Sequence, residues 1–126
     1  MYVAIQTDWG PHMTISMYQA SVPAFLHTLG QLSAILDKAE AYAAAKKIDP
    51  AVLVNARLYP DMFPLARQIQ IACDFAKGTP ARLAGKEVPS WPDNEATFAD
   101  LKARIAKTVA FAKSFSAADI DGSEER

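Results

Sequence analysis

Residues 18–43 read YQASVPAFLHTLGQLSAILDKAEAYA, and their apolar positions decide the fold class. Tyr18, Val22, Phe25, Leu29, Leu32, Leu36, Ala39 and Ala43 recur at spacings that alternate four and three. A helix brings such a series onto one face, so the stretch predicts one long helix with a heptad seam, flanked by Tyr42. Thr14, Ser16 or Ser21 can cap its start, and Pro23 fits a first turn or a kink. Lys46 and Lys47 suit the negative end of the helix dipole. Asp49-Pro50 then stops the helix, because proline disfavours helical geometry in the residue before it.

Two further helices follow from the same reasoning. Residues 50–60 form a connector with room for a short helical turn. Within ARLYPDMFPLARQIQIACDFAKG (56–78), Asp61 can accept from orphan N–H groups and Pro64 falls early, which predicts a second helix from about Met62 to Lys77. Gly78 ends it, and Thr79-Pro80 opens a short continuation that stops at Gly85. The proline-punctuated loop KEVPSWP (86–92) precedes a third helix, with Asp93 or Asn94 as cap and Glu95 in the first turn. Its seam is Phe98, Leu101, Ile105, Thr108, Ala112 and Phe115, with Asp100 and Arg104 as an outward i,i+4 pair. No stretch alternates with period two, so the class is all-α, a helical bundle.

The chain has 126 residues, half of them hydrophobic, and a formal net charge of −1. That length suits one domain, able to bury about two-thirds of its unfolded surface. Without a surplus of Lys and Arg, nucleic acid is not an expected partner. The single cysteine, Cys73, closes no intrachain disulfide and belongs to no zinc spacing, which points to a reducing, cytoplasmic setting. No run is long and apolar enough to span a membrane, so no membrane partner is expected. Residues 1–12, ahead of Met13, are set aside as an N-terminal extension, leaving 13–126 as a single domain. Three seams with a polar tail, AADIDGSEER, call for a fourth helix or a partner. The domain therefore reads as C-terminally incomplete, a complete three-helix bundle being the alternative.

On a wheel of 100° per residue, Arg67, Gln70, Asp74 and Lys77 gather on a polar arc. Met62, Leu65, Ala66, Ile69, Ala72, Cys73 and Ala76 gather opposite. Gln68 departs from its polar neighbours and falls between Ala72 and Phe75, at the edge of the apolar arc. There its amide either bonds a backbone carbonyl or buried water, or lines an interhelical pocket. Cys73 packs as a small hydrophobe, with Lys77 as a mobile cationic neighbour. Asp61 is a helix cap, or alternatively a ligand or acid at the pocket. His27 stands opposite the first seam, and His12 belongs to the extension; neither has metal-ligand spacing. Asp37, Lys38 and Glu40 make a solvated face. No phosphate loop or GxSxG elbow is present. Catalytic residues, metal ligands and cofactor-binding residues are accordingly unassigned, and Gln68 and Asp61 are the candidate pocket residues.

The stretches TISMYQASVPAFLHTLGQLSAILDKAEAYA, ARLYPDMFPLARQIQIACDFAKG and WPDNEATFADLKARIAKT resemble an uncharacterised bacterial family. It is the domain-of-unknown-function family numbered nineteen ninety-three, in the DinB/YfiT-like metalloenzyme superfamily. The resemblance covers nearly all of residues 13–126 and implies a four-helix bundle of up-down-down-up type, whose fourth helix would follow the final GSEER. It also implies that metal-binding relatives use three histidines, one from the second helix and two from the fourth. Matching the second helices by apolar pattern puts the first of these at Gln68. Glutamine is a poor zinc or nickel ligand beside imidazole, so no metal is expected on this chain.

Three functional readings follow. The first is a DinB-like bundle with an interhelical pocket for a small-molecule ligand. The second is a metal- or thiol-dependent transferase or isomerase with its remaining ligands beyond residue 126. The third is a homo-oligomeric interaction module that covers its apolar helix faces with a second copy.

Overall fold

The structure, a computed structural model, describes residues 14–125. The proposed extension over 1–12, with His12, lies outside them. Helix α1 runs Met17–Lys46. Of the three possible caps Ser16 serves: its Oγ accepts from the Gln19 N–H at 3.1 Å, and Gln19 Oε1 accepts from the Ser16 N–H at 3.4 Å. This reciprocal capping box satisfies two otherwise orphan donors. Pro23 lies inside the helix, beyond its first turn. Lys47 closes it in the left-handed conformation, φ 56°, and donates back to the carbonyls of Ala43 and Ala44.

Helix α2, Pro50–Val54, is the short turn foreseen in the connector, capped by Asp49 Oδ1 on the Ala51 N–H at 3.0 Å. Helix α3 runs Leu65–Leu83, which corrects both predicted ends. Pro64 occupies the cap position, while Asp61 sits exposed in the preceding turn. At the other end the helix continues through Gly78 and Pro80. Ala76, Lys77, Gly78, Pro80 and Ala81 are all buried there, and that packing outweighs the one ladder bond proline removes.

Helix α4, Phe98–Lys113, starts later than its predicted cap. Thr97 Oγ1 accepts from the Asp100 N–H and Asp100 Oδ2 accepts from the Thr97 N–H, each at 3.1 Å. Asp93 and Glu95 are thereby released for other partners. Asp100 is not paired with Arg104 as the i,i+4 spacing suggested; it is committed to this cap. Helix α5, Ala117–Ile120, and a 3-10 turn, Ser123–Glu125, follow. Helices are the sole regular elements among the described residues, without strands.

Helix α4 packs against both α1 and α3 and so lies at the centre of the bundle. One apolar cluster joins Leu29 and Leu36 of α1, Val54 of α2, Ile69 and Cys73 of α3, and Leu101 and Ile105 of α4. A second joins Val22, Ala81, Phe115 and Ile120 at the other end. Much of the three seams is covered within the described residues. Leu29, Leu36, Ile69, Leu101 and Ile105 are all at most 2% exposed, each gaining roughly 1.5–3 kcal/mol by burial. Leu32 and Ala72 are half-buried. The polar tail is also more than solvated chain: Ile120 is fully buried, and the Tyr18 N–H donates to Asp121 Oδ1 at 3.0 Å.

Candidate functional site

The polar arc of α3 is partly buried. Gln70 is 6% exposed and Lys77 is 5% exposed, because the 86–97 loop lies across them. The centre is Arg104 of α4, also buried. Its Nη1 donates to the Pro92 carbonyl at 2.8 Å and to both Glu95 carboxylate oxygens at 3.2 Å. Its Nη2 lies 3.0 Å from Asp74 Oδ1 and 3.1 Å from Asp93 Oδ1. Its Nε is buried without a hydrogen-bond partner among the described residues. Burial opposes the guanidinium charge, but Glu95, Asp74 and Asp93 outweigh it and hold its pKa above the usual arginine value.

Glu95 is completed by Gln70, whose Nε2 donates to Oε1 at 2.9 Å. Lys77 lies 3.6 Å from Asp74 and 4.7 Å from the centre of the Trp91 ring, so it is held and not mobile. Lys107 lies 4.3 Å from the same ring centre, and Phe111 meets the ring edge-on at 5.9 Å. The Lys77, Arg104 and Arg67 charges all find carboxylates within this cluster. Its chemistry is that of a fastener: it ties the 86–97 loop to α3 and α4. A sequence signal for it exists. Ala66, Gln70, Cys73 and Lys77 form a 4-3-4 series beside the apolar seam, and Leu101, Arg104 and Thr108 form a 3-4 series in the next helix.

Cys73, behind the fastener, is fully buried. Burial pushes its thiol pKa up, partly offset by a hydrogen bond with Thr108 and by the charge of Arg104. A thiol so placed is a poor nucleophile at neutral pH. His27 is exposed on α1. Among the described residues no three His, Cys, Asp or Glu side chains are grouped to hold a metal ion. Asp37 and Glu40 are exposed as expected and engage Lys102 of α4 at 3.0 and 3.4 Å.

Gln68, at the edge of the apolar arc of α3, is exposed. Its Nε2 donates to the Phe63 carbonyl at 2.9 Å, which leaves Oε1 as an acceptor without a partner among the described residues. Beside it opens a recess of about 340 Å³ lined by Ala39 of α1, Leu53 of α2, Ala56, Arg57 and Leu58 of the connector, and Leu65 and Gln68 of α3. Asp61, the other candidate pocket residue, does not line it. A polar recess of about 390 Å³ lies over Trp91, Glu95, Arg104 and Lys107, on the outer side of the fastener. Of the two, the first has the apolar walls and few polar groups typical of a ligand cavity.

Residues 17–126 match the family described as Domain of unknown function (DUF1993). A crystal structure of a DinB family member protein from Shewanella denitrificans shares 47% sequence identity and superposes with a TM-score of 0.79, the match covering 82% of this chain and 60% of that one. No curated protein matches the sequence. No helix among the described residues is long and apolar enough to cross a membrane.

Proposed function

We propose that this chain, which belongs to the DUF1993 family and has the DinB-like helical fold, is a binding protein whose ligand enters the recess beside Gln68. The observation that carries this reading is the contrast between the two polar regions of the molecule. The charges of Arg104, Glu95, Asp74 and Lys77 are engaged with one another. The recess instead joins apolar walls to an unengaged amide oxygen, and its volume falls at the lower end of the ~300–1,000 Å³ of small-molecule sites.

Titration with a neutral solvatochromic dye such as Nile red tests the reading. Saturable binding of one dye per chain is expected, weakened at least tenfold by Ala56→Trp, which fills the recess from its exposed wall without entering the core. Binding that Ala56→Trp leaves unchanged places the ligand elsewhere.

Self-association is a second reading, supported by the exposure of more than half of Ile35, Tyr42, Tyr59, Phe63 and Phe75. Four aromatic rings offer roughly 150–250 Å² each when fully buried, a large part of what one partner contributes to a stable interface of standard size. Sedimentation velocity separates the two: a concentration-dependent dimer lost in Tyr42→Lys with Phe75→Lys supports association, and a monomer throughout removes it.

A further inference from the structure

From the charge at its rim, we infer that the recess takes an amphiphile with a compact apolar body and one anionic head, of the chemical class of a medium-chain fatty acid. This inference rests on the binding role proposed for that recess and specifies its ligand. Ala39, Leu53, Leu58 and Leu65 supply apolar walls, which favour a body of CH₂ groups by about 0.8 kcal/mol for each one buried. Arg57 supplies the charge. Its Nη1 donates to the Pro60 carbonyl at 3.2 Å, and no carboxylate lies within ion-pair distance of it among the described residues.

Arg57 is one of several cations without a carboxylate partner among the described residues, and its place at the rim of the apolar recess gives this its weight. Arg67, Lys77, Lys102 and Arg104 each have an acidic partner from the chain itself, whereas the guanidinium bordering the apolar recess is anchored through one nitrogen to a carbonyl. Its remaining N–H groups retain the planar fork that receives a carboxylate through two parallel bonds. Gln68 sharpens the selection. With Nε2 committed to Phe63, it presents only an acceptor oxygen, which repels a second anionic group and admits a hydroxyl or amide on the ligand body. One negative head is therefore favoured over two.

Displacement of Nile red by octanoate, 1-octanol and suberate, measured on the whole chain, tests the assignment. Octanoate is expected to displace the dye at about five- to tenfold lower concentration than octanol at low ionic strength, with suberate weaker than octanoate, and salt should reduce the difference. Arg57→Gln should abolish the preference for octanoate over octanol, read as the ratio of their displacement concentrations on that same variant, and Arg57→Lys should keep part of it. Arg57 is exposed, and circular dichroism verifies that both variants fold. Equal displacement by octanoate and octanol, or a preference that survives Arg57→Gln, overturns the anionic head while the recess remains a binding site. Absence of dye binding to the parent protein overturns the binding role and the ligand class together.

Discussion

Arg104 Nη1 lies 3.2 Å from both carboxylate oxygens of Glu95, nine residues earlier in the chain, with the two side chains only 3% and 9% exposed. Such a pair gives little net stability when whole but is costly to break, because the surviving charge stays buried. Arg104→Ala is expected to lower unfolding free energy by about 3–5 kcal/mol in urea titrations. Arg67→Ala, which removes a 3.1 Å contact to the same Asp93 from an exposed position, is expected to cost less than about 1 kcal/mol. Comparable losses from the two variants would contradict the central place given to Arg104.

Gln68 and Gln70 offer a sharper comparison, being the same residue type two positions apart on α3. Gln70→Leu withdraws the donor from Glu95 Oε1 and is expected to cost about 1–3 kcal/mol. Gln68→Leu removes an exposed bond to a loop carbonyl, with an expected change of about 0.5 kcal/mol or less. Chemical denaturation of both variants beside the parent protein provides the check.

The buried thiol of Cys73 holds its proton to higher pH than the ordinary value of 9.0. An unfolded chain would ionise that thiol first, so its contribution to stability is complete below about pH 9 and declines as pH rises toward the folded-state value. Cys73→Ala is expected to flatten the alkaline limb of the pH–stability curve. A thiol reagent should label the native protein at the rate of unfolding, and fast labelling without unfolding would contradict the burial.

Asp100 titrates in the opposite sense. The Ala96 N–H first, then the hydroxyl and N–H of Thr97, hold its carboxyl below the usual 3.8. Its contribution is present above about pH 4 and disappears as pH falls through the depressed folded-state value. Asp100→Asn is expected to remove this part of the acid dependence, and Thr97→Ala to cost about 0.5–2 kcal/mol at neutral pH. Melting temperatures across an acid pH series resolve both effects.

Seams were legible in the sequence, and caps only partly. The 4-3 series through Leu29, Leu36, Leu101 and Ile105 identified three long helices because apolar spacing is a local property of one face. Asp61 and Asp93 each precede an apolar run, the pattern of a cap, but capping depends on where the chain turns. Pro64 and Thr97 occupy those turns. Arg104 and Gln70 escaped recognition for a different reason: a polar residue beside a seam becomes interior only when another segment covers it. Here the covering segment is an irregular loop, and no periodicity announces it. The helical wheel put Gln68 at the edge of an apolar arc, beside a possible pocket, whereas Arg57, which also lines the recess, lies in a connector with no helical pattern.

Pro23 and Pro80 stand next to Val22 and Ala81, two buried members of the second apolar cluster. Each proline lacks the amide that would bond four residues back, so α1 and α3 both lose a rung at the same end of the bundle. The bundle thus has a weak end and a firm end. In hydrogen–deuterium exchange, amides around Leu29–Leu36 and Ile69–Cys73 should open only with global unfolding, while those flanking the two prolines exchange through smaller, partial openings. Breathing motions would accordingly begin at the end where α5 is docked, away from the recess, leaving the walls formed by Ala39, Leu53 and Leu65 in place while the other end opens and closes.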